Sequence, residues 1–66
     1  MEIELNGVPH PLADNQNVQD LIAALDLVNK SLAVAVNRQI VPRQSWARHV
    51  LAPGDRVDIV RAIGGG

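Results

Sequence analysis

Hydrophobic spacing changes period twice between Met1 and Val36, and no other feature restricts the fold as much. Met1, Ile3 and Leu5 alternate with Glu2 and Glu4, the period-two pattern of a strand with one buried face. Asn6-Gly7 follows and suits a type I′ hairpin turn, in which both central residues need positive φ. Val8, His10 and Leu12 form the returning strand. Pro9 and Pro11, which lack an N–H for a sheet ladder, make it an edge strand. The period then lengthens: Val18, Leu21, Ile22 and Leu25 share one face of a short helix capped by Asn17, with Asp20 favouring its positive end. Asn29 and Lys30 predict a stop near residue 28. Leu32, Val34 and Val36 alternate with Ala33 and Ala35, a strand apolar on both faces that the helix covers on one side.

The second half is read from its turns. Asn37-Arg38-Gln39 is a loop, Ile40-Val41 a brief extended piece ended by Pro42, and Arg43 to His49 an irregular stretch or single helical turn anchored by Trp46. Ala52-Pro53-Gly54-Asp55 places proline and glycine where a type II turn favours them. A last strand runs from Arg56 to about Ala62, with Val57 and Ile59 buried. One helix against a small mixed sheet is a two-layer α+β domain. This order resembles the ubiquitin-like β-grasp, which implies that the first and last strands lie parallel at the sheet centre. Residues 1–63 are expected to form this domain and residues 64–66 a flexible glycine tail.

A chain of 66 residues buries only roughly 60% of its unfolded surface, too little for a deep enclosed active site. Its core must be aliphatic, because Trp46 is the one aromatic residue, and the absence of cysteine excludes a disulfide, a thiolate metal site and a persulfide on the chain itself. A net charge of −1 without a basic run or stacking aromatics gives no footprint for nucleic acid. The apolar runs fall far short of a membrane span, and Glu2 and Glu4 do not fit a signal-peptide start, so a cytoplasmic location is expected.

No candidate catalytic set converges. His10 and His49 sit in different segments without a carboxylate or cysteine at ligand spacing, and read as surface or packing residues. Asp14, Asp20 and Asp26 recur every six residues, a spacing that does not share a helical face. Arg38, Arg43, Arg48, Arg56 and Arg61 are solvated surface by default, or include a patch that steers docking. Trp46 reads as core rather than as an interface anchor.

Gly64, Gly65 and Gly66 end the chain without side chains and are able to enter a narrow cleft. Their one functional group is the terminal carboxylate of Gly66, ionised at neutral pH and unreactive as an acyl donor until activated. The chain has neither a P-loop nor a dinucleotide-binding glycine motif, so activation needs a partner that uses ATP. Taken alone, three glycines read equally well as a frayed end.

Ala33-Val34-Ala35-Val36-Asn37-Arg38-Gln39-Ile40-Val41-Pro42-Arg43-Gln44-Ser45-Trp46, with Gly54-Asp55 and the closing Gly65-Gly66, resembles the ThiS family of sulfur carriers in thiamine thiazole biosynthesis. Gly64 departs from the small residue that often precedes the glycine pair in that family, and it leaves the chemistry intact. The resemblance implies adenylation of Gly66 by an E1-like enzyme of ThiF type with ATP, and sulfur supply by a cysteine desulfurase. It implies delivery of the Gly66 thiocarboxylate to a thiazole synthase of ThiG type. The carrier is then a co-substrate and not an enzyme, with no cofactor of its own. Val60, Ala62 and Ile63, beside the tail, are the candidate partner contacts. Two other readings stand beside this one: the small subunit of molybdopterin synthase, usually longer and without the Asn37 to Trp46 pattern, and a ubiquitin-like module that binds without covalent chemistry.

Overall fold

The structure, a computed structural model, describes residues 1–61. The expected domain boundary at Ile63 and the glycine tail lie outside the described residues. Strands β1 (Glu2–Leu5) and β2 (Val8–Pro11), helix α1 (Val18–Ala24), strands β3 (Leu32–Val36) and β4 (Gln39–Ile40), a 3₁₀ helix over Arg43–Arg48, and strand β5 (Arg56–Arg61) follow one another along the chain. The strands form one sheet in the order β2-β1-β5-β3-β4. β1 and β5 run parallel at its centre, and the other neighbouring pairs are antiparallel. This is the topology that the β-grasp resemblance implies.

Local chemistry accounts for the elements. Asn6 and Gly7 adopt φ of 49° and 82° between the paired Leu5 and Val8, the two left-handed positions of a type I′ hairpin. Asn17 caps α1 reciprocally: its side chain accepts from the Asp20 N–H at 2.7 Å, and Asp20 Oδ2 accepts from the Asn17 N–H at 3.0 Å. Gly54 has φ of 81° in the turn that launches β5, and its N–H donates to the Glu2 carbonyl at 2.8 Å, pinning the turn to β1.

The helix is shorter than its apolar spacing predicts. It ends at Ala24 with Leu25 as C-cap, because Asp26 enters the left-handed region at φ 59°. The N–H groups of Asp26 and Leu27 then fold back to the carbonyls of Ala23 and Ile22, both at 3.0 Å, which is a Schellman motif built on aspartate rather than glycine. Asn37-Arg38 is likewise more ordered than a loop: with φ of 51° and 70°, and Val36 paired to Gln39, it forms a second two-residue hairpin turn. The 3₁₀ helix exceeds the single turn expected after Pro42. Ile59, expected to be buried, is half-buried and packs at the core's edge.

The core lies between the helical layer and one face of the sheet. Ile3, Val18, Leu21, Ile22, Val34, Val36, Val41, Trp46, Leu51 and Val57 form it, and among the described residues no polar or charged side chain is buried. Trp46 is 1% exposed, and its Nε1–H donates to the Val41 carbonyl at 2.9 Å, so the largest core side chain also satisfies a backbone acceptor.

Trp46→Ala is expected to lower stability in urea unfolding by about 3–5 kcal/mol, a large share of what a domain this small has. Trp46→Phe is expected to cost less but still on the order of 1–3 kcal/mol, because it leaves the Val41 carbonyl without its donor.

Candidate functional site

The last strand is the element that delivers the chain to its terminal glycines, so its support defines the site. β3 pairs with β5 along its length, from Leu32↔Arg61 to Val36↔Val57. β1 pairs only with its beginning, at Glu4↔Arg56 and Leu5↔Val57, because the hairpin then turns away. Asn6 extends this side of the ladder. Its N–H donates to the Val57 carbonyl at 2.9 Å, and its side-chain Oδ1 accepts from the Ile59 N–H at 2.8 Å. One asparagine thus makes the left-handed turn and supplies the acceptor that β1 no longer provides.

Asn37 does similar work where β5 starts. Its Oδ1 accepts from the Arg56 N–H at 3.0 Å and its Nδ2 donates to Asp55 at 3.1 Å. Arg56 pairs with Glu4 at 3.8 Å and Asp58 at 3.3 Å, both on the solvated side of the sheet where such pairs contribute little.

Side chains alternate across a strand, so those next to the core residues Val34, Val36 and Val57 face away from the helix. Val60 stands opposite Ala33, and Ala35 opposite Ile40. Val60 is 64% exposed and Ile40 71%, giving the outer face an apolar strip beside the end of β5. Ser31, Leu32, Ala33, Arg43 and Val60 line a shallow hollow of about 360 Å³ there. Arg43 is fixed at its wall: Nη2 donates to the Lys30 carbonyl at 2.9 Å, Nη1 to that of Val28 at 3.4 Å, and the guanidinium lies 4.9 Å from the Trp46 ring centre.

Of the residues singled out in the sequence, Val60 therefore takes an exposed place in this strip. Ala62, Ile63, Gly64, Gly65 and Gly66 lie outside the described residues. Leu32 and Ala33 are not legible as site residues, since only the β3–β5 register brings them to Val60, and the alternation of Ala33 and Ala35 is the available signal; Arg43, one of the five arginines considered for docking, is set apart from the others by its bonds to the Val28 and Lys30 carbonyls. His10 lies on β2 opposite Ile3, and His49 follows the 3₁₀ helix with its carbonyl accepting from the Val18 N–H at 3.0 Å. Among the described residues no group of three or more His, Cys, Asp or Glu is placed to hold a metal ion. The arrangement sets the end of β5 beside an apolar face, and the described residues bring together no acid–base or nucleophilic set.

The sheet order, the parallel central pair and the single helix on one face place the chain in the ubiquitin-like β-grasp class. It belongs to the ThiS family, which it matches over residues 3–66. It is 38% identical over 66 residues to the sulfur carrier protein ThiS of Escherichia coli K12, covering all of both chains. The crystal structure of a thiamine biosynthesis protein, ThiS, from Geobacter metallireducens superposes with a TM-score of 0.86 at 28% identity, again over all of both chains. The whole chain is also 33% identical to 20% of a longer protein named thiazole synthase from Paramagnetospirillum magneticum. The chain is accordingly a sulfur carrier of thiamine biosynthesis and not an enzyme. This favours the thiamine reading over the molybdopterin and non-covalent alternatives. No helix among the described residues is long and apolar enough to cross a membrane.

Asn6→Ala is expected to destabilise the domain by about 1–2 kcal/mol, through the lost acceptor and the left-handed turn position. Its specific signature is faster amide hydrogen exchange at Ile59 than at Val34 or Val57, read by NMR.

Proposed function

We propose that Gly66 is the residue that carries sulfur, through its terminal carboxylate. Family membership over residues 3–66, which runs through this glycine, is the observation that carries the reading. The chemistry of the chain supports it. With no cysteine and a single methionine, no side chain forms a persulfide, so sulfur needs another point of attachment. A carboxylate is a poor acyl donor, and a separate E1-like enzyme of ThiF type is assigned its activation. One carboxylate oxygen attacks the α-phosphorus of ATP and pyrophosphate leaves; the outer sulfur of a persulfide formed by a cysteine desulfurase then attacks the acyl carbon and AMP leaves, and a second thiol reduces the resulting acyl disulfide, departing as a disulfide with the former persulfide sulfur. The product is a thiocarboxylate, a soft nucleophile held on the end of a protein.

The consumer is a thiazole synthase of ThiG type. A segment like this chain makes up 20% of a protein named thiazole synthase, an arrangement that favours direct delivery. Gly64, Gly65 and Gly66 enter the receiving cleft in this reading, while Val60, Ala62 and Ile63 contact its mouth. Tethered delivery replaces a chance encounter with free sulfide by a high effective concentration. The exposed strip of Val60, Ala33 and Ile40 supplies the surface against which such a cleft can close. The cycle is placed in the cytoplasm.

Incubation with an E1-like enzyme, ATP and a cysteine desulfurase is expected to give a species with one oxygen replaced by sulfur, localised to Gly66 by fragment mass spectrometry. Removing Gly66, or extending the chain beyond it, is expected to abolish that species and leave the melting temperature unchanged. Sulfur found on any other residue, or a truncated chain that still acquires it, would rule the reading out.

A further inference from the structure

The charges of this chain are unevenly spread along β5. Lys and Arg number six, and three of them, Lys30, Arg43 and Arg61, gather where the strand ends. Arg61 is the last residue of β5 and pairs with Leu32. Lys30 lies two residues before Leu32, and the Arg43 guanidinium bonds to its carbonyl. All three side chains are exposed, and among the described residues none makes an ion pair.

The acidic groups are placed elsewhere or already engaged. Glu4 and Asp58 pair with Arg56 at the beginning of β5; along the strand, at about 3.3 Å per residue, Arg56 lies roughly 17 Å and Asp58 roughly 10 Å from Arg61. Asp55 lies in the turn before that strand and accepts from the Ala52 N–H, Asp20 caps the helix, and Asp14 meets the amino terminus. Glu2 precedes Glu4 on a strand parallel to β5, further from the exit. Asp26 is the one acid in the neighbouring helix–strand connection, exposed and without an ion pair among the described residues. A chain of net charge −1 therefore presents a cationic collar at one end.

The collar lies about the end of β5 on both faces of the sheet: Arg43 lines the apolar hollow with Leu32, Ala33 and Val60, while Arg61, one residue after Val60, stands on the opposite face beside Leu32. Arginine around an apolar centre is the composition of a protein interface. We infer that Lys30, Arg43 and Arg61, gathered about the end of β5, dock the carrier on acidic side chains around the cleft of thiazole synthase. This rests on the carrier reading of Gly66 and adds to it the charge of the receiving surface. Exposed charges of this kind set encounter rate and register more than final affinity. Arg43 already spends donors on two backbone carbonyls, so Lys30 and Arg61 are the residues to vary.

The double variant K30E/R61E is to be compared with the parent chain in stopped-flow association with thiazole synthase, across a series of sodium chloride concentrations. R38E, at the distant β3–β4 turn, serves as the control of equal charge type, and circular dichroism verifies folding of each variant. The association rate of K30E/R61E is expected to fall about ten- to hundredfold at low ionic strength and to approach that of the parent near 0.5 M salt, while R38E changes little. Equal rates for K30E/R61E and the parent, or an equal loss with R38E, would overturn the collar. So would a collar that serves small anions: chemical-shift changes at Lys30 and Arg61 on adding inorganic phosphate, with protein association unaltered. Sulfur acquisition at Gly66 is read separately, by mass spectrometry of the parent chain without thiazole synthase, so loss of the collar and loss of the carrier reading give different results.

Discussion

The parallel pairing of β1 with β5 is the constraint on which the rest of this domain depends. Parallel neighbours cannot be joined by a tight turn, and the chain between them travels through the helix and three further strands before it returns. Those intervening elements supply the layer that buries Ile3 and Val57, the inward residues of the central pair. The same pairing brings the last strand to the middle of the sheet. The strand that leads toward the terminal glycines is therefore the one with neighbours on both sides.

Most of the fold is legible in the sequence because local chemistry and tertiary packing agree there. The first hairpin, the apolar face of Val18, Leu21 and Ile22, the strand from Leu32 to Val36 and the Pro53-Gly54 turn all show in residue type and spacing. Two features escape it for one physical reason. Asp26 and Arg38 occupy left-handed conformations usually taken by glycine, and neither residue announces that geometry. The helix is consequently shorter than its pattern, and a stretch that reads as a loop is a hairpin turn. Ile59 is half-buried although its alternation points inward, since it sits beyond the last residue of β1 that pairs with β5.

The site divides in the same way. Val60 is recognisable from its nearness to the end of the chain. Its companion Ala33 is not, because a register between distant strands is a long-range fact, and Arg43 is one of five candidate arginines until its side chain is seen turned onto two carbonyls. Asn6 is readable as a turn residue but not as the acceptor for Ile59, fifty-three positions away. Sulfur and thiamine are legible through family resemblance, whereas composition by itself points to a presented chain end that depends on partners.

The register of the first hairpin has a further consequence for the molecule as a solute. Val8 and His10 turn their backbone groups toward β1, which leaves Pro9 and Pro11 with their nitrogens on the open edge of the sheet. That edge offers carbonyl oxygens and, at both positions, no donor. A strand of another copy cannot zip onto it, because every second rung of such a ladder lacks its proton. The prolines thus cost the native sheet no hydrogen bond while closing one of its flanks to fibril growth.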